Sequence, residues 1–222
     1  MVKTVLPVLT ALLCVLATAS ADFIMTQKVD AMGQQNMITM KIKGDKVRVD
    51  MNPQISTIVS ADTGEVITLI HAQKMVMKMS GEQIKAMAKA AMAQTGGANV
   101  TKPEIKATGK KDKIKGYDVE EYTVTQGGIV SHAWIAKDYP NGKAVVAALN
   151  ALNKGPLKEV AGPGAVEASA FPGLPLKTVV ESNGRPATTV LLESVTEKTI
   201  DPNEFTVPAD YKSMEMPAVP GR

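Results

Sequence analysis

An α+β fold built on a meander of antiparallel strands is predicted by three features of this sequence. Apolar and polar residues alternate with a period of two through most of the chain. Short pairs of Gly with Asp, Asn or Gly interrupt that alternation where tight turns would fall. In two places the period lengthens to that of an amphipathic helix.

The first clear alternation sets Ile38, Met40 and Ile42 against Thr39, Lys41 and Lys43. Gly44-Asp45 supplies a two-residue turn, after which Val47, Val49 and Met51 alternate with Lys46, Arg48 and Asp50. Further strands are expected over 55–60, 66–71 and 74–79, with turn chemistry at Asp62-Thr63-Gly64. At Ser80 the period changes: Ile84, Met87, Ala88, Ala91 and Met92 fall on one helical face, and Lys85 and Lys89 on the other. Ser80 and Gln83 have capping-box spacing, and Gly96-Gly97 would end this helix. Strands resume over 105–109, 116–126 and 129–136, the last two joined at Gly127-Gly128. A second helix is expected over 143–153, carrying Val145, Val146, Leu149 and Leu152 on one side and stopped by Gly155. Strands over 176–182 and 187–197 then flank a turn at Asn183-Gly184.

Residues 1–21 have the order of a secretory signal, with Lys3 ahead of an apolar run from Val5 to Ala17 and a small-x-small cleavage site at Ala19-Ser20-Ala21. That run is shorter than the roughly 20 residues that span a bilayer, so no transmembrane span is expected after cleavage. The remainder is expected to be one β-rich domain over 22–212 with a disordered tail over 213–222, working in the periplasm or outside the cell. The single cysteine, Cys14, lies in the signal, so the mature chain offers no disulfide, thiolate nucleophile or thiolate metal site. Without Lys3 there are 24 basic residues against 22 acidic ones, spread along the chain, which speaks against nucleic acid as a partner.

No enzyme signature is present: the sequence has no G-x-S-x-G, H-E-x-x-H, P-loop or dinucleotide fingerprint, and the only histidines are His71 and His132. No catalytic residue, metal site or cofactor is therefore assigned. The triplet Asn99-Val100-Thr101 matches a glycosylation acceptor by spacing alone. Methionine is the unusual feature. Met75, Met77 and Met79 stand at spacing two and would share one strand face. They can be ordinary core, the wall of a cavity that repacks around variable apolar ligands, or soft ligands for Cu(I), with His71 as a possible addition.

The stretches Gly44-Asp45-Lys46-Val47-Arg48-Val49-Asp50-Met51, Lys113-Ile114-Lys115-Gly116-Tyr117, Trp134-Ile135-Ala136-Lys137-Asp138 and Phe205-Thr206-Val207-Pro208-Ala209-Asp210-Tyr211-Lys212 resemble an uncharacterised family of secreted bacterial domains. That family is in turn similar to the periplasmic lipoprotein carriers and outer-membrane lipoprotein receptors. The resemblance implies a curved antiparallel sheet, an open half-barrel, with the two short amphipathic helices over its concave face and an apolar cavity between. It implies no catalytic residues, and nothing in the chain matches a specific acyl-chain-binding motif of those carriers.

The reading that follows is an exported, non-catalytic binding protein for an apolar ligand such as a lipid or the acyl chains of a lipoprotein. Its expected cavity lining is Ile38, Met40, Val47, Val49, Met51, Met75, Met77 and Met79 from the sheet, with Met87 and Leu149 from the helices. The rivals are a Met-rich copper-binding protein and a structural or envelope-interaction module with a solid core. Oligomeric state and ligand identity are not legible in the sequence.

Overall fold

In a computed structural model that describes residues 21–94, 102–152, 166–182 and 185–214, the strands form one twelve-stranded sheet. A first meander comprises β1 (Phe23–Ala31), β2 (Gln34–Lys43), β3 (Lys46–Asn52), β4 (Ile55–Ser60), β5 (Val66–Ile70) and β6 (Met75–Met79). The helix α1 (Gly81–Gln94) follows. A second meander comprises β7 (Glu104–Ile114), β8 (Tyr117–Gln126) and β9 (Ile129–Ala136), then the helix α2 (Gly142–Leu152), then β10 (Leu174–Ser182) and β11 (Arg185–Glu197). The last strand, β12, is Lys212–Ser213.

The spatial order is β12-β6-β5-β4-β3-β2-β1-β11-β10-β9-β8-β7. The first meander therefore grows outward from the centre, and the second starts at the far edge and returns to pair β11 with β1. The connection that contains α1 leads from β6, next to one edge, to β7 at the other. All ladders are antiparallel except β12 on β6. Register shifts interrupt the β1/β11, β3/β4, β7/β8, β9/β10 and β10/β11 ladders. Each such irregularity adds bend and right-handed twist, which is how so long a sheet curves without closing. The expected open, curved sheet with two short helices is the observed architecture.

Two hydrophobic cores lie on opposite faces of the first meander. On the inner face Phe23, Met25, Ile42 and Val47 pack with Val145, Ala148 and Leu152 of α2. Val145 is fully buried, and removing a side chain of this size from water contributes about 1.5–3 kcal/mol. On the outer face Ile58, Leu69 and Val76 are covered by Ile200 and Phe205, with Ile24, Val207 and Tyr211 packed alongside. That cover is a strap over 198–214. It starts at Asp22, whose carboxylate accepts from the Ile200 N–H at 2.9 Å, and it ends by pairing with the β6 edge, where Lys212 N donates to Lys74 O and Met214 N to Val76 O. The sheet thus extends past Tyr211, where the sequence showed no strand; a further tail from 215 lies outside the described residues.

Local sequence accounts for the junctions. Gly127 and Gly128 have φ of +55° and +82°, the left-handed pair that a tight type I′ hairpin needs. Ser80 Oγ accepts from Gln83 N at 3.2 Å while Gln83 Oε1 accepts from Ser80 N at 2.9 Å, completing the capping box at the start of α1. Gly173 stands so close to the β9 end that a Cβ there would lie 2.1 Å from Ala136 O. The expected turns at Gly96-Gly97, Gly155 and Asn183-Gly184, and the Asn99 triplet, lie outside the described residues.

Candidate apolar cavity

The inner face bears an open-mouthed cavity of about 470 Å³, within the size range of small-molecule sites. Strands β2 and β3 contribute Met40, Val47 and Val49. Strands β8, β9 and β10 contribute Val124, Ser131, Ala133, Pro175 and Thr178, and α2 contributes Leu149 and Leu152. Val166, Ala168 and Phe171 complete the wall from the segment after α2. The 3₁₀ turn Ala168–Ala170 is tied to α2 by Ser169 N donating to Asn150 Oδ1 at 3.2 Å, and Phe171 meets Tyr122 edge-on at 5.8 Å between ring centres.

The structure brings together only part of the predicted lining. Met40, Val47, Val49 and Leu149 line the cavity. Ile38 lies further along β2 and does not reach it. Met75, Met77 and Met79 are half-buried on the inner-face parity, Met77 opposite Thr68 and Thr68 opposite Thr57, but they lie three strands beyond Val49 and outside the cavity wall. Met51 and Met87 are exposed at 39% and 49%. For Met51 the cause is the register shift between Asp50 and Asn52, which takes it out of the alternation. For Met87 it is that α1 leaves the face carrying this side chain open to solvent, so the predicted apolar stripe of α1 is not a cavity wall at this position.

Ser131, Ala133 and Thr178 have no counterpart among the residues singled out from the sequence. Small or hydroxylated residues at period two look like any strand, and only the curvature makes them a wall.

Among the described residues no charged side chain lines the cavity. Among the ion pairs on other surfaces, two clusters gather buried or half-buried groups. In the first, under the strap, Arg48 donates from Nε to Asp50 at 2.7 Å, from Nη1 to the Glu204 carbonyl at 2.9 Å and from Nη2 to Ser56 Oγ at 3.1 Å. Lys41 joins Asp50 and Glu204. Burial pushes the Asp50 carboxyl up, but hydrogen bonds from Ser56 and Arg48, with the charges of Arg48 and Lys41, outweigh it and hold its pKa below the usual value.

His71 belongs to this cluster, with Nε2 2.7 Å from Ser56 Oγ and Nδ1 2.5 Å from the Tyr211 hydroxyl. Because the Ser56 hydroxyl donates to Asp50 at 2.6 Å, its oxygen accepts from His71 Nε2–H, and Nδ1 accepts from Tyr211. That polarity is the reverse of what activates a serine nucleophile, and Ser56 is 1% exposed. The imidazole is thus turned to the outer face, away from the Met75, Met77 and Met79 row, so the sequence-level pairing of His71 with those sulfurs is not formed.

The second cluster centres on Glu121, which is buried. Burial raises its carboxyl, but hydrogen bonds from Thr108, Lys110 and His132 outweigh that and hold it below the usual value. His132 Nδ1 lies 2.8 Å from Glu121 and Nε2 lies 3.6 Å from Glu181. His132 alternates with Ser131 and Ala133, so this cluster lies across β9 from the cavity. Among the described residues no three His, Cys, Asp or Glu side chains gather as a metal-ligand set, and no helix is long and apolar enough to cross a membrane.

Residues 23–211 match the family described as Domain of unknown function (DUF4412). No curated protein matches the sequence. Among solved structures, PNGF-II is 21% identical with a TM-score of 0.44; the match covers 89% of this chain and 31% of that one, so the chain spans about a third of PNGF-II. The Pseudomonas aeruginosa MucA/MucB complex gives 9% identity and a TM-score of 0.42, covering 89% of this chain and 59% of that one. A DUF1329 family protein from Desulfovibrio piger gives 10% identity and a TM-score of 0.36, covering 86% and 91%.

Proposed function

The chain belongs to the DUF4412 family of domains of unknown function, and we propose that it is an exported, non-catalytic binding protein for an apolar ligand, a lipid or the acyl chains of a lipoprotein. The single observation that carries this reading is the cavity: about 470 Å³ between the sheet and α2, walled mostly by aliphatic side chains, methionine and Phe171, with no charged side chain in its wall among the described residues. A preformed apolar concavity with a few polar groups is the usual form of a small-molecule site. A solid core would close such a space, because protein interiors pack to crystal-like density. The signal-like segment over 1–21 supports export to the periplasm or beyond.

The test is native mass spectrometry of protein recovered from its own cell envelope, with solvent extraction of the same sample. The proposal expects a mass that begins at Asp22 and a copurified apolar molecule released by solvent. Protein retaining residues 1–21 contradicts export by cleavage, and protein free of any lipid that also fails to take one up contradicts the binding role. Copper is the second reading, supported by the half-buried sulfurs of Met75, Met77 and Met79 on one strand. Stoichiometric Cu(I) binding that disappears when all three are changed to Leu would replace the lipid reading with it.

A further inference from the structure

Two polar side chains stand in the otherwise apolar wall, and their positions bear on what the cavity accepts. Ser131 and Thr178 both line it, on neighbouring strands β9 and β10. Ser131 is opposite Val180 and Thr178 is opposite Ala133, so the two hydroxyls form a diagonal pair on one face, with Cβ atoms somewhat less than about 7–8 Å apart. Neither hydroxyl has a hydrogen-bond partner among the described residues. Each can donate one hydrogen and accept two, so both are free to bind a ligand atom.

We propose that the cavity selects apolar ligands whose polar end is uncharged, a long-chain alcohol or the glycerol ester of a single acyl chain, and discriminates against carboxylates, the head being read by the hydroxyls of Ser131 and Thr178. The inference rests on the binding role proposed above and narrows it to a chemical class. A hydroxyl or ester placed against this pair replaces the water it loses. A carboxylate brought to the same place loses far more hydration and finds no cation on the described wall.

Displacement of the neutral fluorophore N-phenyl-1-naphthylamine from the full mature chain at pH 8 tests this. Hexadecanol and monopalmitoylglycerol should displace it at concentrations at least about tenfold lower than palmitate, and methyl palmitate should behave as a neutral ligand. In Ser131→Ala/Thr178→Val the neutral head-bearing ligands should each weaken roughly two- to tenfold per hydroxyl lost, after correction for the variant's own affinity for the fluorophore, while methyl-terminated hexadecane does not weaken. An unfolding midpoint and far-ultraviolet circular dichroism equal to wild type show that this variant is folded. Palmitate displacing as well as hexadecanol overturns the inference and leaves the binding role standing. Neutral ligands indifferent to the double substitution overturn it as well. A wild-type protein that takes up neither fluorophore nor lipid removes both the inference and the role on which it rests.

Discussion

Replacing Arg48 by methionine would remove the fastening point of the outer-face strap while keeping an apolar stem of similar length. Three hydrogen bonds go with the guanidinium: to Asp50 at 2.7 Å, to the Glu204 carbonyl at 2.9 Å and to Ser56 at 3.1 Å. A hydrogen bond to a charged partner contributes about 1.5–3 kcal/mol, but Asp50 is a quarter exposed and water can take up part of what is lost. A net loss of about 2 kcal/mol is expected. For a domain of this size that lowers Tm by about 4–8 °C.

The pH dependence carries the diagnostic sign. Asp50 has a folded pKa below its unfolded value, so its contribution is fully present above the unfolded carboxylate pKa of about 3.9 and is lost as pH falls through the depressed folded value. The gap between wild type and Arg48→Met, measured by urea unfolding, should be full at pH 7 and narrow below about pH 4. Limited proteolysis at pH 7 should open the chain within 198–214 before the sheet is cut. A loss under about 0.5 kcal/mol, or a gap equally wide at pH 3 and pH 7, would refute the assignment of this cluster as the strap's anchor.

Two further perturbations test the backbone account. Gly173→Ala places a Cβ 2.1 Å from Ala136 O, where backbone on both sides must shift, and should destabilise by more than about 2 kcal/mol in chemical unfolding. Gly33→Ala meets nothing within 4 Å and is strained only by its φ of +84°, so about 1 kcal/mol is expected there. Ser80→Ala breaks the capping box and should cost α1 about 1 kcal/mol. Because α1 is a connection between the two ends of the sheet, the loss should appear as faster hydrogen exchange within Gly81–Gln94 and leave the global unfolding midpoint nearly unmoved.

How far the fold was legible follows from what each strand buries. Strands β2 and β3 have one dry and one wet side, so Met40 and Ile42 against Lys41 and Lys43 declare both strand and face. The central strand β1 was not visible. Phe23 and Met25 enter the inner core while Ile24 between them packs on the outer one, so the alternation vanishes where the strand is buried on both sides. For strand β7 the sequence signal stops at Gly109, a left-handed residue of φ +77° inside a bulge, beyond which the lysine-rich run to Ile114 still pairs with β8. The cavity was half legible for the same reason. Alternation gives the inward side of Val47, Val49 and Leu149, but the bulge that displaces Met51 and the fold-back that brings Ala168 and Phe171 over the opening are tertiary events without a local signal.

The central claim, that the space between sheet and α2 receives an apolar ligand, is tested most directly by filling it. Ala168 lines the cavity from the 3₁₀ turn outside the sheet, so Ala168→Phe adds volume there while leaving every strand ladder unchanged. Titration of wild type with N-phenyl-1-naphthylamine should saturate at one site per chain. Ala168→Phe, at wild-type stability, should bind at least about tenfold more weakly, a loss of about 1.4 kcal/mol. Saturable binding that is indifferent to Ala168→Phe, or no saturable binding by the wild-type protein, would contradict the account.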